Sequence, residues 1–273
     1  MTDRLKFRIF AHSWTSDWNH GNAHFLRGLA SQLGQSGHEV RCYEQEGSWS
    51  RANLEQEGAE VADRAVRQFE RMFPDLDVRF YKDDFRFVSF ATEELVLIHE
   101  WNPPQLVNAL LALKKKLGFR TLFHDTHHRA YTNPREMLQL ELGQFDGVLA
   151  FGEAIRRIYV DGFGVRRAWT FHEAADVVHY VPAHASKITD VLWIGNWGDE
   201  ERTRELQEFL IIPVRESRAR AVVHGVRYPQ QALQLLAQAG IEYRGYLPNL
   251  EVPQGYARSA LTVHVPRRFY ANG

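Results

Sequence analysis

The sequence predicts an α/β protein built as two doubly wound, parallel-sheet lobes facing a cleft. Three observations point there. Short apolar runs alternate with amphipathic stretches of helix length almost from end to end, the pattern of successive βαβ units. The alternation pauses once, over Pro182-Ala183-His184-Ala185-Ser186, and then restarts. The chain of 273 residues is also longer than one ordinary domain of about 150 residues. We therefore divide it into lobes 1–185 and 186–273.

The first lobe opens on a strand at Lys6–Ser13, followed by a helix at Asn22–Gln35 with Phe25, Leu26, Leu29 and Leu33 on one face. Gly37 is placed to stop that helix, because the residue just past a helix end often needs positive φ. A strand at His38–Glu44 leads to one long charged helix, Arg51–Met72, ended by Pro74. Strands at Asp77–Tyr81 and Leu95–Trp101 follow, then a helix at Pro104–Leu117 closed by Gly118. Phe119–His124 (strand), Pro134–Gln144 (helix), Asp146–Phe151 (strand), Glu153–Val160 (helix) and Arg167–Phe171 (strand) complete the lobe. In the second lobe strands at 191–195, 221–226, 241–246 and 261–265 alternate with helices at Asp199–Leu210, Pro229–Ala239 and Val252–Ser259.

Composition removes several function classes. Lys+Arg 33 against Asp+Glu 34 gives a net charge of −1, so no global field steers the chain to nucleic acid or anionic lipid. No nucleic-acid partner is expected. No apolar run approaches the ~20 residues of a bilayer span, and the start, Met1-Thr2-Asp3-Arg4-Leu5-Lys6, has no apolar signal core. The single cysteine, Cys42, excludes a disulfide framework and reads as a buried strand residue. The expected compartment is the cytoplasm.

Ligands of open parallel sheets collect outside the carboxyl ends of the strands. After the first strand, Asp17, Trp18, Asn19, Gly21 and Asn22 form a polar, aromatic loop at a helix N-terminus, suited to phosphate or another polar ligand. The spacing of Gly21 and Gly28 is not a dinucleotide fingerprint. The alternative is a plain turn with its tryptophans packed inward. His124-Asp125-Thr126-His127-His128 is the densest polar cluster and reads as a catalytic loop, an imidazole beside a carboxylate orienting a substrate hydroxyl. Metal binding there is not expected, since the segment has no H-E-x-x-H or H-x-H pattern. Glu100 beside Trp101 suits sugar hydroxyls and a sugar face, or else a solvated rim and a core cap. In the second lobe Gly195-Asn196-Trp197-Gly198 reads as a phosphate-cradling turn, with Arg202 and Arg204 beyond it. Tyr246 and Leu247 follow the third strand, and Arg267 and Arg268 the last.

These residues resemble a family. Two Rossmann-like lobes around a cleft look like the GT-B fold of nucleotide-sugar glycosyltransferases. Trp18-Asn19-His20-Gly21-Asn22-Ala23-His24-Phe25-Leu26-Arg27-Gly28-Leu29-Ala30 is similar to the CgeB-like spore-maturation glycosyltransferases, as are Gly37-His38-Glu39-Val40, Ser48-Trp49-Ser50, Trp193–Trp197, Arg202, Gly245–Pro248 and Arg267–Tyr270. The resemblance implies metal-independent, retaining transfer of a sugar from a nucleoside diphosphate sugar to an acceptor hydroxyl, with no separate cofactor. It implies an acceptor-side first lobe carrying Asp17, Trp18, Asn19, Gly21, Asn22, Glu100 and His128. The nucleotide-binding second lobe would then carry Gly195, Asn196, Trp197, Arg202, Tyr246, Leu247, Arg267 and Arg268. His124 best matches the histidine that contacts the transferred sugar, with Asp125 beside it. The family's second-lobe glutamate motif would come after Tyr270-Ala271-Asn272-Gly273, so the second lobe is expected to be incomplete. Weak donor binding and an open apolar patch at Leu261–Val265 that favours self-association are expected with it. Two other classes stay open on sequence: a metal-dependent hydrolase using His124, Asp125 and His128, and a non-catalytic nucleotide- or sugar-binding protein.

Overall fold

The computed structural model describes residues 4–82, 90–198 and 200–271. Its elements, in chain order, are β1 Lys6–Phe10, α1 Ala23–Gln35, β2 Glu39–Gln45, α2 Trp49–Gln56, α3 Ala59–Met72, β3 Val78–Tyr81, β4 Glu94–His99, α4 Pro104–Leu117, β5 Arg120–Asp125, α5 Arg129–Thr132, α6 Pro134–Met137, β6 Gly147–Ala150, α7 Glu153–Arg157 and β7 Ala168–Thr170. After a stretch without helix or strand between Thr170 and Thr189 come β8 Thr189–Ile194, α8 Thr203–Leu206, α9 Ile212–Ser217, β9 Ala221–His224, α10 Gln230–Gln238, β10 Glu242–Tyr243, α11 Val252–Ala257, β11 Ser259–Thr262 and α12 Arg268–Ala271.

The strands form two sheets, of order β3-β2-β1-β4-β5-β6-β7 and β10-β9-β8-β11, and every pairing is parallel. Each sheet thus places its first strand at a topological switch point, where the chain reverses direction across the sheet and a crevice opens. Parallel strands covered on both faces are apolar along their length: Ile9, Phe10, Val96, Ile98, Phe123 and Val148 have no more than trace exposure. Phe10 stacks on Tyr43 at 4.7 Å in one core layer, while Ile9, Leu26 and Cys42 lie in another. The second lobe packs Trp193, Leu206, Leu210, Val223 and Leu236 around its own core. Burial raises the Cys42 thiol well above its ordinary pKa, which leaves it an inert core residue.

Four expectations need correction. The long charged helix is two helices, because Gly58 takes φ 116° between α2 and α3. The helix expected over Pro134–Gln144 stops at Met137 and continues as two short 3₁₀ turns. The strand expected at 241–246 is only Glu242–Tyr243. The helix expected from Asp199 starts at Thr203 and runs through a π-helical stretch, Gln207–Ile211, to Ser217; Asp199 itself lies outside the described residues, as do Asn272 and Gly273. Gly37 and Gly118 take the expected positive φ, 90° and 79°. Of the apolar patch expected at 261–265, Leu261 is exposed on the edge strand β11, but Val265 is buried in the second core.

A candidate active site in the interlobe cleft

A cleft of about 890 Å³ opens between the carboxyl ends of the two sheets. Its first-lobe wall begins with the loop after β1. Glu44, at the end of β2 and 1% exposed, gathers that loop: it accepts hydrogen bonds from Ser13 Oγ at 2.9 Å, Trp14 N at 2.7 Å and Thr15 N at 2.9 Å. Trp14 is thereby sunk into the core, its indole N–H donating to Tyr43 O at 3.1 Å. The loop then turns outward, and Asp17, Asn19, Gly21 and Asn22 line the cleft as expected from the sequence. Asp17 pairs at 3.0 Å with Arg27, which is 1% exposed and also donates to Trp14 O at 2.8 Å. Gly28 beside it admits the connecting segment, for a Cβ there would lie 2.9 Å from Asp176 Cβ. The Arg27-Gly28 part of the motif is therefore structural.

Trp18 departs from its expected place. It is buried, not on the cleft wall: its indole donates to Glu57 at 2.7 Å and its ring packs with Leu54, Ala62, Ala65 and Val226 in the seam between the lobes. The cleft residue from this aromatic pair is Trp49, held edge-on to Trp18 at 5.1 Å and 52% exposed.

His124 and Asp125 require the larger correction. Both have no exposed surface and neither lines the cleft, so direct contact with a substrate does not fit their position in β5. Burial holds His124 down to about 4, hence neutral at neutral pH. Asp125 accepts from the Tyr159 hydroxyl and from His127 N at 3.0 Å. Glu100 is likewise buried, accepting from Thr126 N at 2.8 Å, Thr126 Oγ1 at 2.7 Å and Arg129 at 3.1 Å. Burial together with the adjacent Asp125 carboxyl pushes Glu100 well above the usual carboxylate range. This network is the scaffold behind Thr126 and His127, which do reach the cleft, and Thr126 in turn accepts from Asn22. His128 stands aside, bonded to Thr132 at 2.9 Å and 3.5 Å from Glu201 of the second lobe. His124, Asp125 and His128 thus do not converge, and among the described residues no group of three or more His, Cys, Asp or Glu is disposed to hold a metal ion.

The second-lobe wall comes from the loops after β8, β9, β10 and β11. Gly195, Asn196, Arg202, Tyr246, Leu247 and Arg267 line the cleft, all singled out by sequence. Trp197 does not; it is 4% exposed and packs on Tyr228 at 5.6 Å inside the lobe. Arg268 points away to Glu205 at 3.3 Å. Two glycines bring the loops together: a Cβ at Gly225 would lie 2.0 Å from Gly195 O, and one at Gly198, where φ is 86°, would meet the Arg202 side chain at 2.7 Å. Arg202 donates to Val265 O at 3.2 Å and Arg267 to Glu201 at 3.0 Å.

The sequence reading missed His224, Gly225, Arg227 and Asn249, all on the cleft, and gave no role of their own to His12 and His20 of the first loop, which also line it. The same strand-end rule that found Gly195 applies to His224-Gly225-Val226-Arg227 after β9, and it could have found them. The rings of His12 and His20 lie 3.9 Å apart, tilted at 46°, with His99 about as far from each, at 6.3 and 6.0 Å. Burial lowers His12 to about 4 and takes His20 well below its ordinary value, so both are neutral imidazoles. The walls also touch: Asn196 donates to Asn19 at 2.9 Å, Tyr246 to Asp17, and Asn249 to His20 O at 3.3 Å.

No protein-family model and no curated sequence matches the chain. Solved structures do. S. aureus TarM, in complex with fondaparinux, α-GlcNAc-glycerol and UDP, superposes at TM-score 0.68 and 7% identity over 94% of this chain and 80% of its own. An α-glucosyltransferase with UDP and a 13-mer DNA containing an HMU base gives 0.65 at 11% identity, over 95% and 72%. T4 phage BGT in complex with UDP-glucose gives 0.60 at 12% identity, over 97% and 74%. The chain has the two-lobed GT-B fold that these glycosyltransferases share.

Proposed function

We propose that the protein is a glycosyltransferase that moves a sugar from a nucleoside diphosphate sugar to an acceptor hydroxyl. One observation carries the reading: the cations of the cleft, Arg202, Arg227 and Arg267, all come from second-lobe strand ends, beside the close-packed Gly195 and Gly225. Guanidinium groups at such a position suit a diphosphate, and the close-packed glycines let it approach the backbone. In the reaction the acceptor oxygen bonds the anomeric carbon and the bond from that carbon to the diphosphate oxygen breaks. Its electron pair leaves with the nucleoside diphosphate, and the acceptor hydroxyl gives up its proton.

Independence from metal and retention of configuration belong to the same reading. Three guanidinium groups offset the diphosphate charge that a divalent cation would otherwise meet. The one carboxylate among the described cleft residues, Asp17, is engaged by Arg27 and Tyr246, so the departing diphosphate oxygen takes the acceptor proton on the face it leaves. The narrower kinship with the CgeB-like enzymes rests on the 18–30 motif, and a cytoplasmic setting on the single buried thiol.

The test is titration with UDP and with UDP-glucose, followed by calorimetry and thermal melting. A ligand at a hundredfold excess over Kd stabilises the fold by about 2.7 kcal/mol. Arg202→Ala and Arg267→Ala should each weaken UDP at least tenfold. Absence of binding by every nucleoside diphosphate at millimolar concentration would remove the reading, and binding without sugar transfer to any acceptor would make the protein a binder only.

A further inference from the structure

The two cleft walls differ in charge, and the difference speaks to the acceptor. Among the described residues the first-lobe wall carries no lysine or arginine, and its sole carboxylate, Asp17, is neutralised by Arg27 at 3.0 Å. Its histidines, His12, His20 and His127, are held neutral by burial, the last at about 3. That wall instead presents two large rings, Trp49 at 52% and Trp101 at 41% exposure. Both rings are braced from behind or beside. Trp49 stands edge-on to Trp18, and Trp101 lies against the Arg129 guanidinium at 4.1 Å and edge-on to His127 at 5.2 Å.

The same wall also holds buried polar groups without a hydrogen-bond partner. Asn102 is 4% exposed, donates twice through Nδ2, and leaves Oδ1 unbonded; both ring nitrogens of His20 are unbonded as well. A buried polar atom left unpaired costs about 1–3 kcal/mol, so a ligand bearing hydroxyls gains by pairing with it. A polyanion gains nothing there, since binding to nucleic acid is driven by phosphate neutralisation from lysine and arginine.

We propose that the first-lobe wall is an acceptor subsite for a neutral saccharide, which presents a C–H face to Trp49 or Trp101 and its hydroxyls to Asn102 and His20. The inference rests on the transferase reading and deepens it. It sets this protein apart from the similar α-glucosyltransferase, whose structure holds DNA. A flat aromatic ring against the C–H face of a pyranose, with a few placed polar groups, is the ordinary make-up of a site for a neutral polar ligand.

Saturation-transfer NMR on the whole chain, saturated with UDP, tests this with neutral gluco- and N-acetylglucosamine trisaccharides on one arm and a 13-mer DNA duplex on the other. The expected result is saturation of the saccharide ring protons. Trp49→Ala, Trp101→Ala or both should lower that signal at least fivefold, while calorimetric UDP affinity stays within twofold. UDP binding with no saccharide signal overturns this proposal alone, and so does salt-dependent micromolar DNA binding. Failure to bind UDP counts against the transferase reading instead.

Discussion

The loops after β1 and β8 occupy the same position in their sheets, yet they are built by opposite means. Each follows a central strand flanked by the second and fourth strands of its lobe. The loop after β1 is fixed by side chains, chiefly the buried Glu44 and the Asp17–Arg27 pair, and offers side chains to the cleft. The loop after β8 is fixed by the absence of side chains at its own Gly195 and Gly198 and at the neighbouring Gly225 after β9, and offers Gly195, Asn196 and Arg202 to the cleft. One topology thus serves a neutral, shape-reading wall and a cationic, phosphate-reading wall. The ligand preference of such a crevice lies in its loops, not in its strand order.

Substitutions should separate the two modes of construction. The largest effect is expected from Asp17→Ala, which strands the buried Arg27 and cuts Tyr246 loose; urea unfolding should show a loss of about 3–5 kcal/mol. A loss under 1 kcal/mol would mean that the side-chain brace is not what holds the first loop. Gly225→Ala comes next, at about 2–3 kcal/mol, because its Cβ meets a carbonyl oxygen rather than a yielding side chain. Gly21→Ala is its counterpart in the first loop, with nothing within 4 Å, and should change stability by no more than about 0.5 kcal/mol while affecting ligand binding.

The pH dependence sharpens the contrast further. His12 and His124 are lowered to about 4 by burial, so the unfolded chain binds their protons first as pH falls below about 6.5. Stability is therefore full above that pH and is lost from there down to about 4, by about tenfold in the folding equilibrium per pH unit for each histidine. His124→Phe should make the acid limb of a stability–pH curve shallower by one such increment, whatever it does to stability at pH 7. The smallest effect, about 1 kcal/mol or less, belongs to Asn196→Ala, which removes the bond to Asn19 across the cleft. Its readout is a change in the melting shift produced by UDP rather than in the melting temperature alone.

Much of the fold was legible because parallel strands covered on both faces leave plain apolar runs. All seven strands of the first sheet, and β8 and β9 of the second, fall where Lys6–Ser13, Leu95–Trp101, 221–226 and their fellows were read, while β10 is shorter than 241–246 and β11 starts two residues before 261–265. The helices were less legible where punctuation was internal: Gly58 splits α2 from α3, and the helix read as ending at Leu210 continues to Ser217 because Pro213 sits in the first turn of α9. In the site, position at a strand end was legible but facing was not. His124 and Thr126 are two residues apart, yet one is sealed beside His99 within the sheet and the other touches the cleft. Trp18 and Trp197 likewise carried the right chemistry at the right place in the chain, and packing turned both inward. Which of two neighbouring polar side chains meets solvent is decided by contacts distant in sequence, such as Glu44 with Ser13 or Asp17 with Tyr246.

The sheet orders carry a consequence for the way the molecule is assembled. Residues 6–170 contain every strand of the first sheet, so that sheet can close while the ribosome is still making the second lobe. In the second, β8 has its inner neighbour by His224 but waits until Ser259–Thr262 for its outer one. The cleft draws on side chains from His12 to Arg267 and so comes into being only after both sheets have closed. A nucleotide that binds there would recognise the finished product of folding and no earlier species. Added during refolding, it should slow unfolding far more than it speeds the forward reaction.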